Sequence, residues 1–306
     1  MRIVFAGTPQ AAVPTLEALV AAGHEVVGVL TREDAPVGRK RVLTPSPVAQ
    51  RAEELGLDVV RANRVTDEVA ADLLAREFEL GVVVAYGGIL RSPLLDEPPH
   101  GWINLHFSQL PRWRGAAPVQ RAIMAGDAAS GIAVFQLEAG LDTGPTFVNR
   151  AVEISQHETA GELLARLAEL GAPDVVETVA AIAAGTAEAQ PQRGEPTTAA
   201  KLSVRDGLVD WHRAAAEIDG LVRGVTPEPG AATELDGQRL KLLRGRVAAA
   251  NHAPGEPGRV SEVAGSIVVA TGEGSYELVE VQPAGKKAMR AADWWRGQRC
   301  AEVQLG

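Results

Sequence analysis

The segment Leu80-Gly-Val-Val-Val-Ala85 has the composition of a strand that is buried on both faces of a sheet. Comparable apolar runs precede it at Arg2–Gly7, Glu25–Leu30 and Leu57–Val60. The stretches between these runs repeat apolar residues at helical spacing, over Pro9–Ala22, Pro47–Leu55 and Asp67–Glu77. Strands that alternate with helices predict a parallel sheet with right-handed crossovers. We therefore predict an α/β fold for the first half of the chain, with a Rossmann-like, doubly wound and mostly parallel sheet.

The pattern continues toward the middle of the chain. Three further strands are predicted, at Ile103–Phe107, Gly131–Leu137 and Phe147–Ile154. Thr159-Ala-Gly-Glu162 is a capping box and predicts the start of a helix. Gly171 and Pro173 predict an interruption of this helix, followed by a second helical run that ends near Ala184.

Residues 185–204 are rich in proline, glycine and polar residues and have no apolar face, which predicts a linker. After it we predict a helix at Trp211–Val222 and then short strands separated by turns, with a hairpin at Asp236-Gly237. Such strands indicate a small OB-like β-barrel. The predicted domains are therefore 1–184, a linker at 185–204, and a β-rich domain at 205–306.

The composition excludes several classes of protein. The 306 residues are 46% hydrophobic, yet no run approaches the ~20 apolar residues of a membrane span. Cys300 is the single cysteine, which excludes an internal disulfide and a metal site built from cysteines. The formal net charge of −9 means that contact with a nucleic acid would depend on local basic patches. We expect a cytoplasmic protein that uses neither a membrane nor a metal.

Polar residues lie on one predicted strand and directly after another, at the edge where ligands bind in open α/β sheets. Asn104 and His106 share one face of an otherwise apolar strand, because side chains alternate along a strand. Asp142 lies in the glycine-flanked loop Gly140-Leu-Asp-Thr-Gly144. An amide, an imidazole and a carboxylate together suit acyl transfer to an amine. A structural polar pair near a sheet edge and a solvated turn aspartate are the alternatives.

These residues resemble a known family. Asn104-Leu-His-Phe-Ser-Gln-Leu-Pro111, followed by Gly140-Leu-Asp-Thr-Gly144, is similar to the motif of the folate-dependent formyltransferases. Two further features resemble the members that formylate methionyl-tRNA. These are the loop from Ala35 to Pro47 and a second domain introduced by Lys201-Leu-Ser. Gln109 departs from the family pattern, which usually has an aliphatic residue there.

The resemblance implies transfer of the formyl group of 10-formyltetrahydrofolate to the α-amino group of methionine on initiator tRNA, for translation initiation. It implies direct attack by the amine, no metal, and a monomer. Asn104 and a protonated His106 would stabilise the oxyanion, and Asp142 would favour the imidazolium. The alternatives are a formyltransferase for a small amine, such as a sugar nucleotide or purine intermediate, and a hydrolase of 10-formyltetrahydrofolate.

The resemblance also implies two binding surfaces. The residues expected to contact folate are Tyr86, Gly87, Ile89, Leu90, Ser108, Gln109, Leu110 and Pro111. The residues expected to contact tRNA are Arg39, Lys40, Arg41, Arg239, Lys241, Lys286 and Lys287. Without the resemblance, Tyr86-Gly-Gly is also compatible with a plain sharp turn, and the basic run at 39–41 with a solvated loop.

Overall fold

The computed structural model describes residues 1–38, 40–249, 255–298 and 302–306. The chain divides into two compact units. The first unit comprises Met1–Pro118, Ser130–Val152 and Leu164–Ala199, and the second comprises Val119–Ala129, Glu153–Leu163 and Ala200–Gly306. Residues 185–199 thus group with the first unit. The domain limits given above, at 184 and 205, remain a prediction.

The elements that the structure describes up to residue 199 are eleven strands, five helices and one 3-10 turn. The strands are β1 (Arg2–Gly7), β2 (Glu25–Thr31), β3 (Ala35–Val37), β4 (Val42–Thr44), β5 (Val59–Arg61), β6 (Leu80–Val84), β7 (Trp102–His106), β8 (Arg114–Gly115), β9 (Ala129–Gln136), β10 (Thr146–Glu153) and β11 (Thr198–Ala199). The helices are α1 (Val13–Ala21), α2 (Pro47–Glu54), α3 (Asp67–Leu74), α4 (Pro118–Met124) and α5 (Ala160–Ala184), with a 3-10 turn at Gln10–Ala12.

The main sheet of the first unit has the strand order β10-β9-β7-β6-β1-β2-β5. The pairings from β5 through β7 are parallel, whereas β7 and β9 are antiparallel. Gly81 on β6 allows Trp102 on β7 to pack closely, since a Cβ at Gly81 would lie 2.0 Å from the indole. The predicted doubly wound, mostly parallel sheet is confirmed.

Helix starts follow local sequence signals. The side chains of Ser46 and Thr66 cap α2 and α3 by accepting hydrogen bonds from Ala49 N and Val69 N. The predicted capping box is also present, because Thr159 Oγ1 accepts from Glu162 N and Glu162 Oε2 accepts from Thr159 N.

The predicted break in the next helix is wrong, because α5 continues without interruption through Pro173. Gly171 is required for packing rather than for a helix end. A Cβ at this position would lie 2.9 Å from Leu105 Cδ1. The glycine therefore lets the helix approach the sheet, and the local sequence signal does not reveal this tertiary role.

The second unit contains an antiparallel sheet. Its strands are β12 (Ala231–Leu235), β13 (Gln238–Val247), β14 (Arg259–Val263), β15 (Ser266–Ala270), β16 (Ser275–Pro283), β17 (Met289–Arg290) and β18 (Val303–Gln304), and its further helices are α6 (Ala215–Gly224) and α7 (Ala291–Arg296). The order is β12-β13-β16-β15-β14-β18, with β17 beside β16. The β-rich character is confirmed, while closure into an OB-like barrel stays a prediction.

The predicted helix at Trp211–Val222 begins later than expected, at Ala215. Trp211 lies in the preceding turn, where its indole N–H donates to Thr233 Oγ1 at 3.0 Å and its ring joins the core of the second unit. Over the residues that the structure describes, no helix is both long and apolar enough to cross a membrane.

Candidate active site

Strand β7 places two polar side chains at its carboxyl end. Asn104 and His106 point to the same face, opposite Phe135 and Ala133 of β9. The His106 ring contacts the Phe135 ring edge-to-face, with a centroid distance of 6.4 Å. Within the described part of the chain, Asn104 Oδ1 is buried and has no hydrogen-bond partner. A buried, unpaired amide oxygen is costly, which is typical of a functional position rather than of a structural pair.

The loop between β9 and β10 brings Asp142 to His106. Asp142 Oδ2 lies 3.7 Å from His106 Nδ1, and both side chains are about nine-tenths buried. The same oxygen accepts a hydrogen bond from Gly115 N at 2.6 Å. Asp142 has a φ of +50°, so the loop holds it in a left-handed conformation. The alternative of a solvated turn aspartate is therefore wrong.

The surroundings of His106 favour its neutral form. Its Nε2–H donates to the carbonyl oxygen of Trp113 at 2.9 Å, which leaves Nδ1 as the free base facing Asp142. Burial has the largest influence on the pKa of His106 and lowers it below the usual 6.5, although the Asp142 charge and the Trp113 hydrogen bond oppose this. The lowered pKa favours a neutral imidazole over the protonated one that the resemblance implies, and the protonation state stays a prediction.

The residues around this pair are held by a distant segment. Trp113 N donates to Thr197 Oγ1 at 2.9 Å, and Gln192 Nε2 donates to the carbonyl oxygen of Asp142 at 2.8 Å. β11, which contains Thr198, pairs in parallel with β8. Sequence reasoning missed Gln192 and Thr197, because both lie in the predicted linker and no local motif marks them.

The residues expected to contact folate fall into two loops that follow neighbouring parallel strands, β6 and β7. Tyr86 is buried in the core, and its hydroxyl donates to Ala62 O at 2.7 Å, whereas Ile89 is 70% exposed. Ser108 Oγ donates to Arg112 O at 2.6 Å. Gly87 and Leu90 belong to the first of these loops.

A cavity of about 740 Å³ opens beside the second of these loops in the first unit. Its lining includes Gln109, Leu110 and Pro111 on one side and Phe147 and Asn149 of β10 on another. The side chain of Asn149 donates from Nδ2 to Leu110 O at 2.7 Å and so fixes this loop against β10.

The residues expected to contact tRNA are exposed where the structure describes them. Lys40 and Arg41 lie in the turn of the β3–β4 hairpin, a regular element that the sequence did not predict, and Arg39 lies outside the described residues. In the second unit, the exposed residues are Arg239 and Lys241 on β13, and Lys286 and Lys287 between β16 and β17.

Lys241 and Lys286 are linked through the pairing of β13 with β16. Lys241 of β13 is opposite Gln282 of β16, and Gln282 Nε2 donates to Lys286 O at 3.1 Å. Lys241 and the turn at Lys286 are therefore close together. Nearby Arg244 and Arg246 are instead paired with the carboxylates of Glu162 and Glu277.

The described residues contain no group of three or more His, Cys, Asp or Glu side chains that could hold a metal ion, and Cys300 lies outside them.

A buried imidazole beside a carboxylate, with a free amide on the same strand, is the site of an acyl-transfer enzyme on a doubly wound sheet.

Comparison with known proteins identifies the family. Residues 1–179 match the formyl transferase family, and residues 201–299 match the formyl transferase C-terminal domain. The chain therefore belongs to the formyl transferase family, and the resemblance inferred from its motifs is confirmed. A methionyl-tRNA formyltransferase from Clavibacter sepedonicus is 57% identical over 303 residues, which cover 99% of either chain.

Two solved structures share the fold. An N-formyltransferase from Helicobacter canadensis, solved with folinic acid and dTDP-3-aminofucose, matches with a TM-score of 0.67 and 18% identity over 92% of this chain and 98% of its own. A methionyl-tRNA formyltransferase from Clostridium thermocellum matches with a TM-score of 0.58 and 16% identity, again over 92% and 98%.

Proposed function

We propose that this chain is a methionyl-tRNA formyltransferase, which transfers the formyl group of 10-formyltetrahydrofolate to the α-amino group of methionine on initiator tRNA. The observation that carries the proposal is the 57% identity to a protein of that name, which covers 99% of both chains and so includes both domains. Folate-derived formyl donors are common to the family. The specific donor and the tRNA substrate are part of the proposal, as is a cytoplasmic monomer.

The geometry of the site supports direct attack by the amine. The amine nitrogen bonds to the formyl carbon, and the Asn104 amide donates a hydrogen bond to the oxyanion that forms. His106 Nδ1, the free base of a neutral ring, accepts the proton that the amine must lose. Asp142, 3.7 Å away, stabilises the resulting imidazolium. The bond from the formyl carbon to the folate nitrogen then breaks, and that nitrogen takes up the proton.

We propose that folate binds against the loops at 86–90 and 108–111. The β6 loop presents a backbone without a side chain at Gly87, where φ is +80°, and an exposed apolar side chain at Ile89, which suit a flat heterocycle. The Ser108–Pro111 loop follows the adjacent strand β7, so both loops lie at the carboxyl edge of the sheet, beside His106.

We propose that tRNA is held by charge on each unit. The exposed cations of the β3–β4 turn and of the β13 and β16 surface would contact phosphates, so the affinity for tRNA should fall as salt rises. These surfaces also separate this proposal from the alternative of a small amine substrate, which requires no extended basic surface.

The proposal is tested by transfer of labelled formyl from 10-formyltetrahydrofolate. We expect transfer to initiator methionyl-tRNA, and none to uncharged tRNA. Release of formate from the donor alone would instead support a hydrolase. Transfer to a sugar-nucleotide amine with no reaction at the tRNA would support the small-amine alternative and refute the proposal.

The basic turn gives a second test. Replacing Arg39, Lys40 and Arg41 by alanine should raise the KM for tRNA and leave the KM for folate unchanged, since phosphate contacts hold only the tRNA. Arg296→Ala is the matched control, because Arg296 is an exposed arginine on α7, outside the proposed surfaces. An unchanged KM for tRNA in the triple variant would contradict the role of the turn.

A further inference from the structure

Gln192 makes four hydrogen bonds that all end at the loops of the active site. Its Nε2 donates to the carbonyl oxygens of Asp142 and Gly144, each at 2.8 Å. Its Oε1 accepts from Nε and from the terminal nitrogen of Arg114, at 3.2 and 2.6 Å. A glutamine amide has two N–H donors and one carbonyl oxygen, so every polar group of this side chain is used.

These bonds join the two elements that hold the catalytic carboxylate. Gln192 holds the backbone of Asp142, while Gly115, the residue after Arg114, donates its N–H to the Asp142 carboxylate. The backbone of Arg114 is fixed in turn by the pairing of β8 with β11. Its backbone N–H donates to Thr197 O at 2.9 Å. Gln192 therefore holds the backbone of Asp142, Gly115 holds its side chain, and the bonds from Arg114 to Gln192 connect the two.

The loop needs such a support. Asp142 lies between Gly140 and Gly144, outside any helix or strand, and its φ of +50° is a conformation that non-glycine residues adopt at a cost. A loop of this kind has several accessible conformations unless tertiary contacts select one. The spacing of 3.7 Å between Asp142 and His106 therefore depends on what holds the loop.

We propose that Gln192 is a positioning residue for catalysis, whose side-chain amide holds the Asp142 loop so that the carboxylate stays beside His106. The kinetic test of this role rests on the proposed function, because it measures formyl transfer to methionyl-tRNA. The proposal assigns the segment predicted as a linker a direct part in building the active site, although Gln192 itself does not line the cavity.

Two substitutions test the proposal. Gln192→Met keeps the volume and removes all four hydrogen bonds, whereas Gln192→Glu keeps the shape and the Arg114 partner but loses both N–H donors. Both should lower kcat about tenfold or more, with the KM values for tRNA and folate unchanged, because the catalytic geometry is lost while binding is kept. Gln304→Met is the matched control, since Gln304 also donates to a backbone carbonyl, Pro257 O, but in the second unit and outside the proposed surfaces.

A second measurement needs no substrate. The His106 imidazole is titrated by NMR in the wild type and in Gln192→Met. The midpoint should fall in the variant, because the Asp142 charge that favours the imidazolium is no longer held nearby. The titration separates the role of Gln192 from the proposed function. If the enzyme fails to formylate methionyl-tRNA, the titration still decides whether Gln192 positions Asp142.

Three outcomes would overturn the proposal. The first is a lower melting temperature with an unchanged kcat in both variants, which would assign Gln192 a purely structural role. The second is a raised KM with an unchanged kcat, which would assign it to binding. The third is an unchanged His106 midpoint. If Gln192→Met does not fold, Gln192→Glu decides the kinetic question, because it retains the Arg114 contact.

Discussion

Replacing Asp142 by asparagine removes the negative charge beside His106 and keeps the shape of the loop. The asparagine oxygen can accept the hydrogen bond that Gly115 N now donates at 2.6 Å. Asparagine also tolerates the left-handed φ of +50° at this position better than most residues. The variant therefore tests the charge rather than the fold.

The expected effect follows from the distance between Asp142 Oδ2 and His106 Nδ1, which is 3.7 Å. At an effective dielectric constant of about 20, two unit charges about 4 Å apart attract each other by about 4 kcal/mol. In the proposed mechanism this attraction appears only when His106 has accepted the proton of the amine. It therefore lowers the barrier, and its loss should reduce kcat by about 10³-fold.

The assay is the initial rate of formyl transfer at saturating tRNA and folate, and the KM values should change little. Asp236→Asn is the matched control, because Asp236 also has a φ of +50° and lies in the exposed β12–β13 turn of the second unit. The control should retain the wild-type kcat. A kcat for Asp142→Asn close to that of the control would refute the electrostatic role of Asp142.

Two further predictions concern Asn104 and His106 on strand β7. Asn104→Ala should lower kcat by about 10²–10³-fold through loss of an oxyanion donor. Its melting temperature should not fall, because Asn104 Oδ1 is buried without a partner; a normal kcat would contradict this role. For His106, burial lowers the pKa on folding, so the unfolded chain binds the proton first as pH falls below 6.5. The free energy of unfolding should therefore decline from pH 6.5 down to the lowered pKa and then level off. Urea titrations of the wild type across this range should show the decline that His106 causes. His106→Asn should lack this contribution.

The strands of the main sheet in the first unit were predictable, because burial on both faces leaves apolar runs such as Leu80–Val84 in the sequence. Pro173 shows the limit of this reasoning. Local signals predict a helix end at Pro173, whereas packing onto the sheet keeps α5 continuous through it. Local propensity is a weak prior when a long helix buries one whole face.

The candidate site was predictable where the chemistry is carried by side chains in a local pattern. The alternation of β7 predicts a common face for Asn104 and His106, and the glycines around Asp142 mark a loop. Gln192 and Thr197 could not be predicted in this way, because they bond to backbone groups 50 and 84 positions away in the chain. The lowered pKa of His106 could not be predicted either, since the extent of its burial is a property of the fold.

The neutral state of His106 changes what Asp142 can contribute. A carboxylate beside a permanent imidazolium would stabilise the enzyme before and after substrate binds, and such uniform stabilisation does not accelerate a reaction. Here burial lowers the pKa of His106 and favours the neutral imidazole, and the 3.7 Å separation from Asp142 is too long for a hydrogen bond. In the proposed mechanism the charge on His106 forms only as the amine loses its proton, so Asp142 would act mainly on the transition state. The same burial that lowers the pKa of His106 thus makes the neighbouring carboxylate catalytically useful.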